Sequence, residues 1–419
     1  MKFHEKALLT QIKYAYERSG LYKNKYRTID IENFSIEEFS ELPFTDKREI
    51  VEDQTTYPPY GSNLCAALTQ LSRIHKTSGT TGKAIIIALT ATDVKNVVKA
   101  GSSCFSASGL TAKDTVVHCL NYCMWAGGYT DHQSLEATGA TVIPFGVGNS
   151  EELINMILTL KPNAIHCTPS YLSRLEQILK EKFNKEPKYL GLTLGLFGGE
   201  GGLQNKNIRT SLEAKWGFLA MNANYGVSEV LSTYGAECIE RDGLHFFGDD
   251  IVFPELIDTV TEKSVPIVTG QVGELVLSTL HKDAQPLLRY RTHDLIRIIS
   301  NEPCKCGRIS FRFEIIGRSD DMLVIKGLNV FPKSIENVIN SHLDVLNGEY
   351  QIIVSKEEPK EYIKIVMEAK VKAEVISQAF IQMLCKEFKA HTTILPIVNF
   401  VDKNTFERVE GKTKRIIKV

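Results

Sequence analysis

Between residues 84 and 280, short apolar, often β-branched runs alternate with longer segments of helical periodicity. The runs include 115–117, 141–144 and 163–167, and segment 151–160 shows the helical pattern. Strands alternating with helices at this spacing favour a mostly parallel sheet with helices on both faces. Ligands of such sheets bind beyond the carboxyl ends of the strands, so polar motifs that directly follow a strand become candidate site residues.

The length of the chain and a change of pattern near residue 250 predict more than one domain. At 419 residues the chain exceeds one ordinary hydrophobic core. Short strands such as 273–277 and 294–299 predict an antiparallel or barrel-like β subdomain. A small α+β unit follows, with helices predicted from 333 and 374 and a last strand over 394–400. We place the boundary at Ser319–Asp320, which gives domains 1–318 and 319–419.

Composition excludes several classes of protein. A net charge of -1 gives no electrostatic case for binding nucleic acid or an anionic membrane. No apolar run approaches the roughly 20 residues that span a bilayer. Nine cysteines scattered over the chain are typical of reduced thiols, and the first residues mix charges without a cleavage site. We therefore expect a cytoplasmic enzyme and leave a homodimer open.

The segment from His75 to Lys83 combines glycines, hydroxyls and a lysine just before an apolar run. Glycines allow a tight turn whose consecutive N–H groups bind an anion, and hydroxyls and a lysine add donors and charge. The pattern predicts a polyphosphate-binding loop, and an ordinary polar turn is the alternative. It is not a Walker motif, because Thr77 stands where that motif has its first glycine and Ala84 where it has a hydroxyl.

Five further motifs follow in the chain, and their order is informative. They are Gly198-Gly199-Glu200, Asn224 to Glu229, Tyr290 to Asp294, Gly317 to Asp321 leading into 326–332, and Glu410 to Arg415. Each alone is compatible with a turn. Six such motifs in this order are not expected by chance.

Together the motifs resemble the adenylate-forming superfamily of acyl- and aryl-CoA ligases, peptide-synthetase adenylation domains and luciferases. The chain is most similar to the phenylacetate–CoA ligase family, through Glu41 to Lys47, Cys167 to Tyr171, and Gly317 to Glu336. The resemblance implies a large N-terminal domain that binds ATP and substrate, and a small mobile C-terminal domain. It also implies formation of an acyl-adenylate and pyrophosphate from a carboxylic acid and ATP, followed by attack of a thiol.

The resemblance also implies roles for individual residues. Glu229 would hold Mg²⁺, a hard cation that prefers carboxylate and phosphate oxygens. Lys412 would neutralise charge as the carboxylate meets the α-phosphate, and Asp320 would be the hinge. Tyr225 would stack on adenine, and Asp294 would bind the ribose with Arg318 nearby. The full ATP and AMP set is Ser78, Gly79, Thr80, Thr81, Gly82, Lys83, Gly199, Glu200, Asn224, Tyr225, Gly226, Ser228, Asp294 and Arg318.

The predicted acid pocket combines residues of the segment 121–129 with residues at the end of the strand that ends at Phe197. Its residues are Tyr122, Trp125, Ala126, Gly127, Phe197 and Gly198. The segment 121–129 is bulkier and more polar than a simple phenylacetate pocket suggests, and core packing is the alternative role for Tyr122 and Trp125. Two further departures from the family pattern are Ala84 in place of a proline and His293 in place of a glycine.

Four residues form a candidate metal set: Cys238, His245, Cys304 and Cys306. Three thiolates and an imidazole make a tetrahedral zinc set, and four protein ligands leave no open position for substrate. Similar positions occur in relatives of the phenylacetate–CoA ligase type, which favours a structural zinc. Ordinary buried cysteines are the alternative.

The leading hypothesis is an ATP-dependent ligase that joins an aryl or arylacetic acid to coenzyme A. Within the same fold, the acceptor could instead be a carrier-protein thiol or an amine, or AMP itself could pass to a cofactor hydroxyl. A catalytically silent homologue that only binds nucleotide is the alternative from another class. A catalytically silent homologue is disfavoured because the residues with implied catalytic and nucleotide-binding roles are all present: Glu229, Asp294, Arg318 and Lys412.

Overall fold

The computed structural model describes residues 2–77, 84–201, 203–321, 323–325, 328–355, 362–392, 394–403, 405–406 and 415–418. Contacts divide the chain into a large unit, 1–204 with 209–314, and a small unit, 205–208 with 315–419. The large unit thus ends a few residues before the predicted boundary, and the assignment of 1–318 and 319–419 as domains stays a prediction. Within the described ranges, no helix combines the length and apolar character that crossing a bilayer requires.

The large unit begins with helices that cover one end of its sheet. They are α1 (Lys2–Arg18), α2 (Gly20–Lys25) and α3 (Lys47–Thr56), with a 3₁₀ helix at Ile36–Glu41. Leu8, Ile12 and Ala15 lie on one face of α1 and are fully buried, as their helical spacing predicts. Asp46 caps α3 by accepting a hydrogen bond from the Arg48 amide.

A separate antiparallel pair, β1 (Leu71–Lys76) and β2 (Ile86–Thr90), frames the predicted phosphate loop. The Thr77 amide donates to the Ile85 carbonyl at 3.0 Å, and the Thr77 hydroxyl accepts from the Ile85 amide at 3.0 Å. These two bonds close the base of the loop. The loop residues themselves, 78–83, lie outside the described residues. Thr90 then caps α4 (Ala91–Ala107).

The parallel part of the sheet follows the predicted alternation of strands and helices. Its strands run side by side in the order β4-β3-β5-β6-β7. The elements are β3 (Thr115–His118), α5 (Ala126–Glu136), β4 (Thr141–Pro144), α6 (Ser150–Leu160), β5 (Ala164–Cys167), α7 (Pro169–Ile178), β6 (Leu194–Gly198), α8 (Lys206–Trp216) and β7 (Leu219–Val227).

The strands predicted as an antiparallel or barrel-like subdomain extend the same sheet. In the region after residue 250 they are β10 (Val252–Ile257), β11 (Ser264–Val265), β12 (Val272–Thr279), β13 (Tyr290–Ser300) and β14 (Arg312–Arg318). Two earlier strands, β8 (Leu231–Ala236) and β9 (Leu244–Phe246), belong to the same antiparallel part. The twelve strands lie in the order β11-β10-β12-β13-β14-β9-β8-β7-β6-β5-β3-β4. The long strand β7 joins the two parts, since it pairs parallel with β6 and antiparallel with β8.

The small unit is an α+β structure, as predicted. Its elements are β15 (Leu323–Ile325), β16 (Leu328–Val330), α9 (Pro332–Asn340), β17 (Leu346–Ser355), β18 (Tyr362–Ala369), α10 (Gln378–Thr392), β19 (Ile397–Val401) and β20 (Ile416–Lys418). The sheet order β19-β18-β17-β20 places the C-terminal strand beside β17. Lys412 and its neighbours from 407 to 414 lie outside the described residues.

Candidate active site

The carboxyl ends of β5 and β6 lie side by side, and a glutamate joins the loops that leave them. Gly199 adopts a φ of 76°, a left-handed conformation that favours glycine. The chain thereby turns so that the Glu200 carboxylate accepts hydrogen bonds from the Ser170 hydroxyl (2.9 Å) and amide (3.3 Å). Ser170 lies in the first turn of α7, where the unpaired amides favour an anion. Glu200 is thus fixed at the edge of the sheet.

One wall of the predicted acid pocket is formed where three segments meet at Gly199. A side-chain carbon at Gly199 would lie 3.5 Å from Thr168 and 3.7 Å from the Trp125 ring. The Trp125 ring also covers Gly127, where an added carbon would lie 3.0 Å from it. In addition, the Lys76 amide donates to the Met124 carbonyl at 2.9 Å, which holds the pocket segment beside the strand that enters the phosphate loop.

The other predicted pocket residues differ in their exposure. Tyr122 is half-buried, and its hydroxyl lies 3.1 Å from His132 Nδ1. Ala126 is buried at the start of α5. Phe197 is only 1% exposed and packs with Phe218 in the core beneath β6. The structure therefore gives Phe197 a packing role, and its predicted contact with substrate stays a prediction.

Glycine at position 198 allows β6 to approach β7 closely. A side-chain carbon at Gly198 would lie 2.5 Å from the Asn224 Cβ, which is too close for any other residue. Gly226 is similarly restricted, since an added carbon would lie 2.1 Å from the Ser232 carbonyl oxygen. The motif Asn224 to Glu229 thus ends β7 and forms a tight connection to β8, with Ser228 half-buried in it.

Tyr225 and Asp294, predicted for adenine and ribose, contact each other directly. The Tyr225 hydroxyl donates to Asp294 Oδ2 at 2.6 Å. Edge contacts with Tyr234 and Phe313 hold the ring, with centroids 5.2 and 5.6 Å away. Burial raises the pKa of Tyr225, so the hydroxyl keeps its proton and remains a donor. The Asp294 carboxylate, itself buried, is therefore fixed in place.

Glu229, the predicted magnesium ligand, is paired with a lysine that the sequence analysis did not assign to the site. Its side chain is 7% exposed, and Oε1 lies 2.7 Å from the Nζ atom of Lys47, the first residue of α3. The buried Lys282 ammonium donates to the Glu229 main-chain oxygen. Burial lowers the pKa of Lys282 to about 8. Lys47 belongs to the motif Glu41 to Lys47, which was quoted only for the family resemblance.

His293 connects the ribose side of the site to α3. It has a φ of 60°, unusual for a residue with a side chain. Its Nε2 atom lies 2.8 Å from Asp46 Oδ2, and its Nδ1 atom lies 3.6 Å from Glu274. The hydrogen bond with His293 holds the pKa of Asp46 well below its usual range. Because Asp294 follows His293 and Lys47 follows Asp46, this contact joins the segment of the predicted ribose ligand to the segment of the lysine that pairs with Glu229.

The four candidate metal ligands converge, and their ligand atoms all lie within 4.8 Å of one another. The Sγ atoms of Cys238 and Cys304 are 3.8 Å apart, and Cys306 Sγ lies 3.6 Å from His245 Nε2. An ideal tetrahedral zinc site requires about 3.8 Å between two sulfurs and about 3.6 Å between sulfur and nitrogen. Burial lowers the pKa of His245 to about 4, which favours the neutral imidazole that binds metal.

A tight turn and a second hydrogen bond of the histidine orient the candidate ligands of this cluster. Gly307 has a φ of 85° and donates its amide to the Cys304 carbonyl, which closes the turn that carries Cys304 and Cys306. His245 Nδ1 lies 3.3 Å from the Ser310 hydroxyl, so the other ring nitrogen is oriented toward the thiols. The chemistry and the spacing of these groups fit zinc.

In the small unit, Arg318 and the predicted hinge residue Asp320 form a two-point ion pair. Arg318 Nε lies 2.9 Å from Asp320 Oδ1, and a terminal guanidinium nitrogen lies 2.8 Å from Oδ2. Both side chains are partly exposed, so the pair contributes little stability and is easily exchanged for other partners.

Comparison with known proteins decides the family. The profile of the AMP-binding enzyme C-terminal domain matches residues 327–418. The chain is 31% identical to phenylacetate-coenzyme A ligase from Pseudomonas putida over 409 residues, which are 96% of this chain and 90% of that protein. The chain belongs to the phenylacetate–CoA ligase family. The ligase from Thermus thermophilus is 33% identical over 392 residues, 91% of this chain and 83% of that one.

Solved structures agree with the fold expected for a phenylacetate–CoA ligase family member. A crystal structure of 2-hydroxyisobutyryl-CoA ligase in the postadenylation state with 2-HIB-AMP gives a TM-score of 0.86 at 24% identity. It covers 99% of this chain and 89% of that one. The predicted family and fold class are thus confirmed.

Proposed function

We propose that this protein activates an aryl or arylacetic acid with ATP, forming an acyl-adenylate, and transfers the acyl group to the thiol of coenzyme A. The acid–CoA ligase class follows from the family to which the chain belongs. The observation that carries the proposal is the extent of the sequence similarity, since phenylacetate–CoA ligases align with over nine-tenths of the chain. The aryl or arylacetic substrate is the finer part of the proposal.

The contacts of the site support the adenylation step. Adenylation brings a carboxylate to the α-phosphate, so positive charge and fixed donors must oppose the charge that develops. Lys47 supplies one cation beside Glu229, and the Tyr225 hydroxyl holds Asp294 in place for the ribose hydroxyls. The phosphate loop, Ser78 to Lys83, and Lys412 are assigned by resemblance, since they lie outside the described residues.

Magnesium fits the carboxylate of Glu229. Carboxylate oxygen is a hard donor of the kind that Mg²⁺ prefers. The Lys47 ammonium contacts this carboxylate in the structure, so the ion would take the place of the ammonium. When bound, Mg²⁺ would neutralise charge on the phosphates. Glu229 itself would orient the ion, while Lys47 balances the carboxylate in its absence.

Zinc is proposed as a structural ion held by Cys238, His245, Cys304 and Cys306. All four ligands come from the protein, so the ion would have no open position and would not enter the reaction. It would join the chain after β8 to the turn before β14, and so close a long loop.

The small unit is proposed to move about Asp320 between the two half-reactions. In this account Lys412 acts in adenylation, and reorientation of a few backbone dihedrals at Asp320 prepares the thiol step. The exchangeable ion pair of Asp320 with Arg318 is compatible with a hinge.

Exchange of labelled pyrophosphate into ATP, measured with a panel of carboxylic acids, tests the proposal. We expect exchange that depends on the acid and not on CoA, with aryl or arylacetic acids preferred. A second incubation with CoA, a carrier protein, amines or a hydroxylated cofactor then separates the acceptors. Absence of exchange with every acid, together with nucleotide binding, would favour the silent homologue.

A further inference from the structure

Three side chains from three elements of the large unit, two of them buried and one half-buried, form a closed ring of polar contacts. They are Asp131 on α5, Asn224 on β7 and Thr233 on β8. The Asn224 amide contacts Asp131 Oδ2, and the Thr233 hydroxyl lies 3.1 Å from Asp131 Oδ1 and 3.0 Å from Asn224 Oδ1. Asp131 and Thr233 are both 0% exposed. Asn224 is half-buried.

Three contacts require three donated hydrogens, and within the ring Asn224 and Thr233 each donate one. The Asn224 amide nitrogen donates to Asp131, and the Thr233 hydroxyl has a single hydrogen, which goes to Asn224 Oδ1. The contact between Thr233 and Asp131 therefore needs a hydrogen from Asp131 itself. Exchanging the amide oxygen and nitrogen of Asn224 only reverses the direction of the ring, and the carboxyl group must still donate once.

The surroundings of Asp131 favour the neutral acid. Burial raises the pKa of Asp131 well above its usual range, and the two hydrogen bonds oppose this only in part. Two titratable groups interact electrostatically with Asp131: Cys104 on α4 and Tyr122 before α5. Burial raises the pKa of both groups, so neither is charged at neutral pH. Among the described residues, no cation contributes to the ionisation of Asp131.

We propose that Asp131 is a positioning residue that remains a neutral carboxylic acid and fixes Asn224 at the nucleotide motif. This inference rests on the proposed function, because it concerns the same site. Asp131 lies on the helix that begins directly after Trp125, and Asn224 directly precedes Tyr225. The ring thus couples the predicted acid pocket to the residues predicted for adenine and ribose.

Substitutions that keep or break the ring test the proposal. Asp131→Asn retains one donor and one acceptor in the same shape, so the ring can form in full. Asp131→Ala and Thr233→Val each remove a member and leave a buried polar group unpaired. Ser134→Ala is the matched control, because Ser134 is buried on the same helix and its hydroxyl donates only to the Thr130 carbonyl.

We expect Asp131→Asn to retain kcat/KM for acid and ATP in pyrophosphate exchange within about threefold, whereas Asp131→Ala and Thr233→Val lose about 10- to 100-fold, the scale for misplacing a binding group. Ser134→Ala should match the wild type. The proposal is overturned if Asp131→Asn loses as much activity as Asp131→Ala, or if breaking the ring changes nothing.

The pH dependence of unfolding in urea gives a second readout that does not require activity. In the unfolded chain Asp131 ionises above about pH 3.9, but in the folded protein it stays protonated, so folding takes up a proton. The folding equilibrium of the wild type should therefore weaken relative to Asp131→Asn by up to tenfold per pH unit as the pH rises from about 4. The opposite slope would mean an ionised Asp131 and would refute the inference.

The two readouts separate failure of this inference from failure of the proposed function. If the wild-type protein exchanges pyrophosphate with no acid, the proposed function fails, and the unfolding experiment still decides whether Asp131 is neutral. If exchange is normal but the unfolding difference has the opposite slope, only the inference about Asp131 fails.

Discussion

The ammonium of Lys47 lies 2.7 Å from the carboxylate of Glu229, so the first residue of α3 supplies a positive charge where the sequence predicts a metal ligand. The cap of α3 strengthens this arrangement. Asp46, the N-terminal cap of α3, accepts a hydrogen bond from the Arg48 amide and also contacts His293. The start of α3, the Lys47 ammonium and the Glu229 carboxylate are therefore held in fixed positions relative to one another.

Replacing Lys47 should change both the rate and the metal requirement of adenylation. In Lys47→Ala, Glu229 loses its cation, so we expect about tenfold lower kcat/KM for ATP, in line with loss of one electrostatic contact that is partly exposed. The Mg²⁺ concentration for half-maximal exchange should fall, because the metal no longer competes with an ammonium. Lys215→Ala is the matched control, since Lys215 on α8 pairs with Glu176 on α7 and neither is a predicted site residue. Unchanged rate and metal dependence would contradict the role of Lys47.

Removal of one hydroxyl tests the contact between Tyr225 and Asp294. Tyr225→Phe keeps the ring packing but removes the hydroxyl that donates to the buried Asp294 carboxylate, and hydrogen bonds to charged groups contribute about 1.5–3 kcal/mol. We expect the KM for ATP to rise about tenfold or more. Tyr26→Phe serves as the control, because the Tyr26 hydroxyl is buried with no hydrogen-bond partner among the described residues. If the two variants have the same KM for ATP, the role of Asp294 in nucleotide binding does not depend on the Tyr225 hydroxyl.

His293→Gly tests whether the histidine stabilises the fold through Asp46. Glycine tolerates the left-handed backbone at this position, so the variant removes the side-chain contacts, including those with Asp46 and Glu274, without straining the backbone. Because hydrogen bonding to His293 lowers the pKa of Asp46, the pair stabilises the fold above the unfolded pKa of about 3.9, and this contribution is lost as the pH falls. The difference in urea stability between wild type and variant should thus be fully present at pH 6 and shrink progressively as the pH falls below about 4. A difference that grows as the pH falls would refute this reading.

Much of the fold could be predicted from sequence because local patterns encode it. The helix at the N-terminus and the strands around 164–167 and 194–198 have the periodicity and composition that the structure shows. One strand was missed, since β20 (Ile416–Lys418) follows the strand that was predicted as the last. Other errors are at the ends of elements: the helix predicted from residue 374 begins at Gln378, because the Ser377 hydroxyl accepts a hydrogen bond from the Phe380 amide and starts the helix there. The last predicted strand begins at Ile397, because Pro396 has no amide hydrogen to donate.

The candidate site was predictable where residues lie close in sequence. The turn at Gly198 to Glu200 and the motif Asn224 to Glu229 carry their own signals. The contacts of Lys47, Asp131 and His293 depend on which elements pack together, and a single sequence does not report such pairs. Motif position alone likewise could not separate the buried Phe197 from the residues around it.

Metal analysis tests the zinc site directly. Protein purified without added metal should contain about one equivalent of zinc, and the double variant Cys304→Ser, Cys306→Ser should contain none, because two of four ligands are lost. The thermal stability of the variant should also fall. Cys119→Ser is a control for replacing a buried cysteine outside the cluster. Metal-free wild-type protein whose stability does not respond to zinc would exclude the site.

Transfer of an oxygen isotope label from the acid to AMP tests the central claim most directly, namely that the reaction proceeds through an acyl-adenylate. Phenylacetate labelled in both carboxylate oxygens is incubated with the wild-type protein, ATP, Mg²⁺ and CoA, and the products are analysed by mass spectrometry. If the carboxylate attacks the α-phosphate, one labelled oxygen leaves with AMP when the thiol displaces it, and each thioester formed is matched by one labelled AMP. Label found in inorganic phosphate, with ADP as the nucleotide product, would contradict the account.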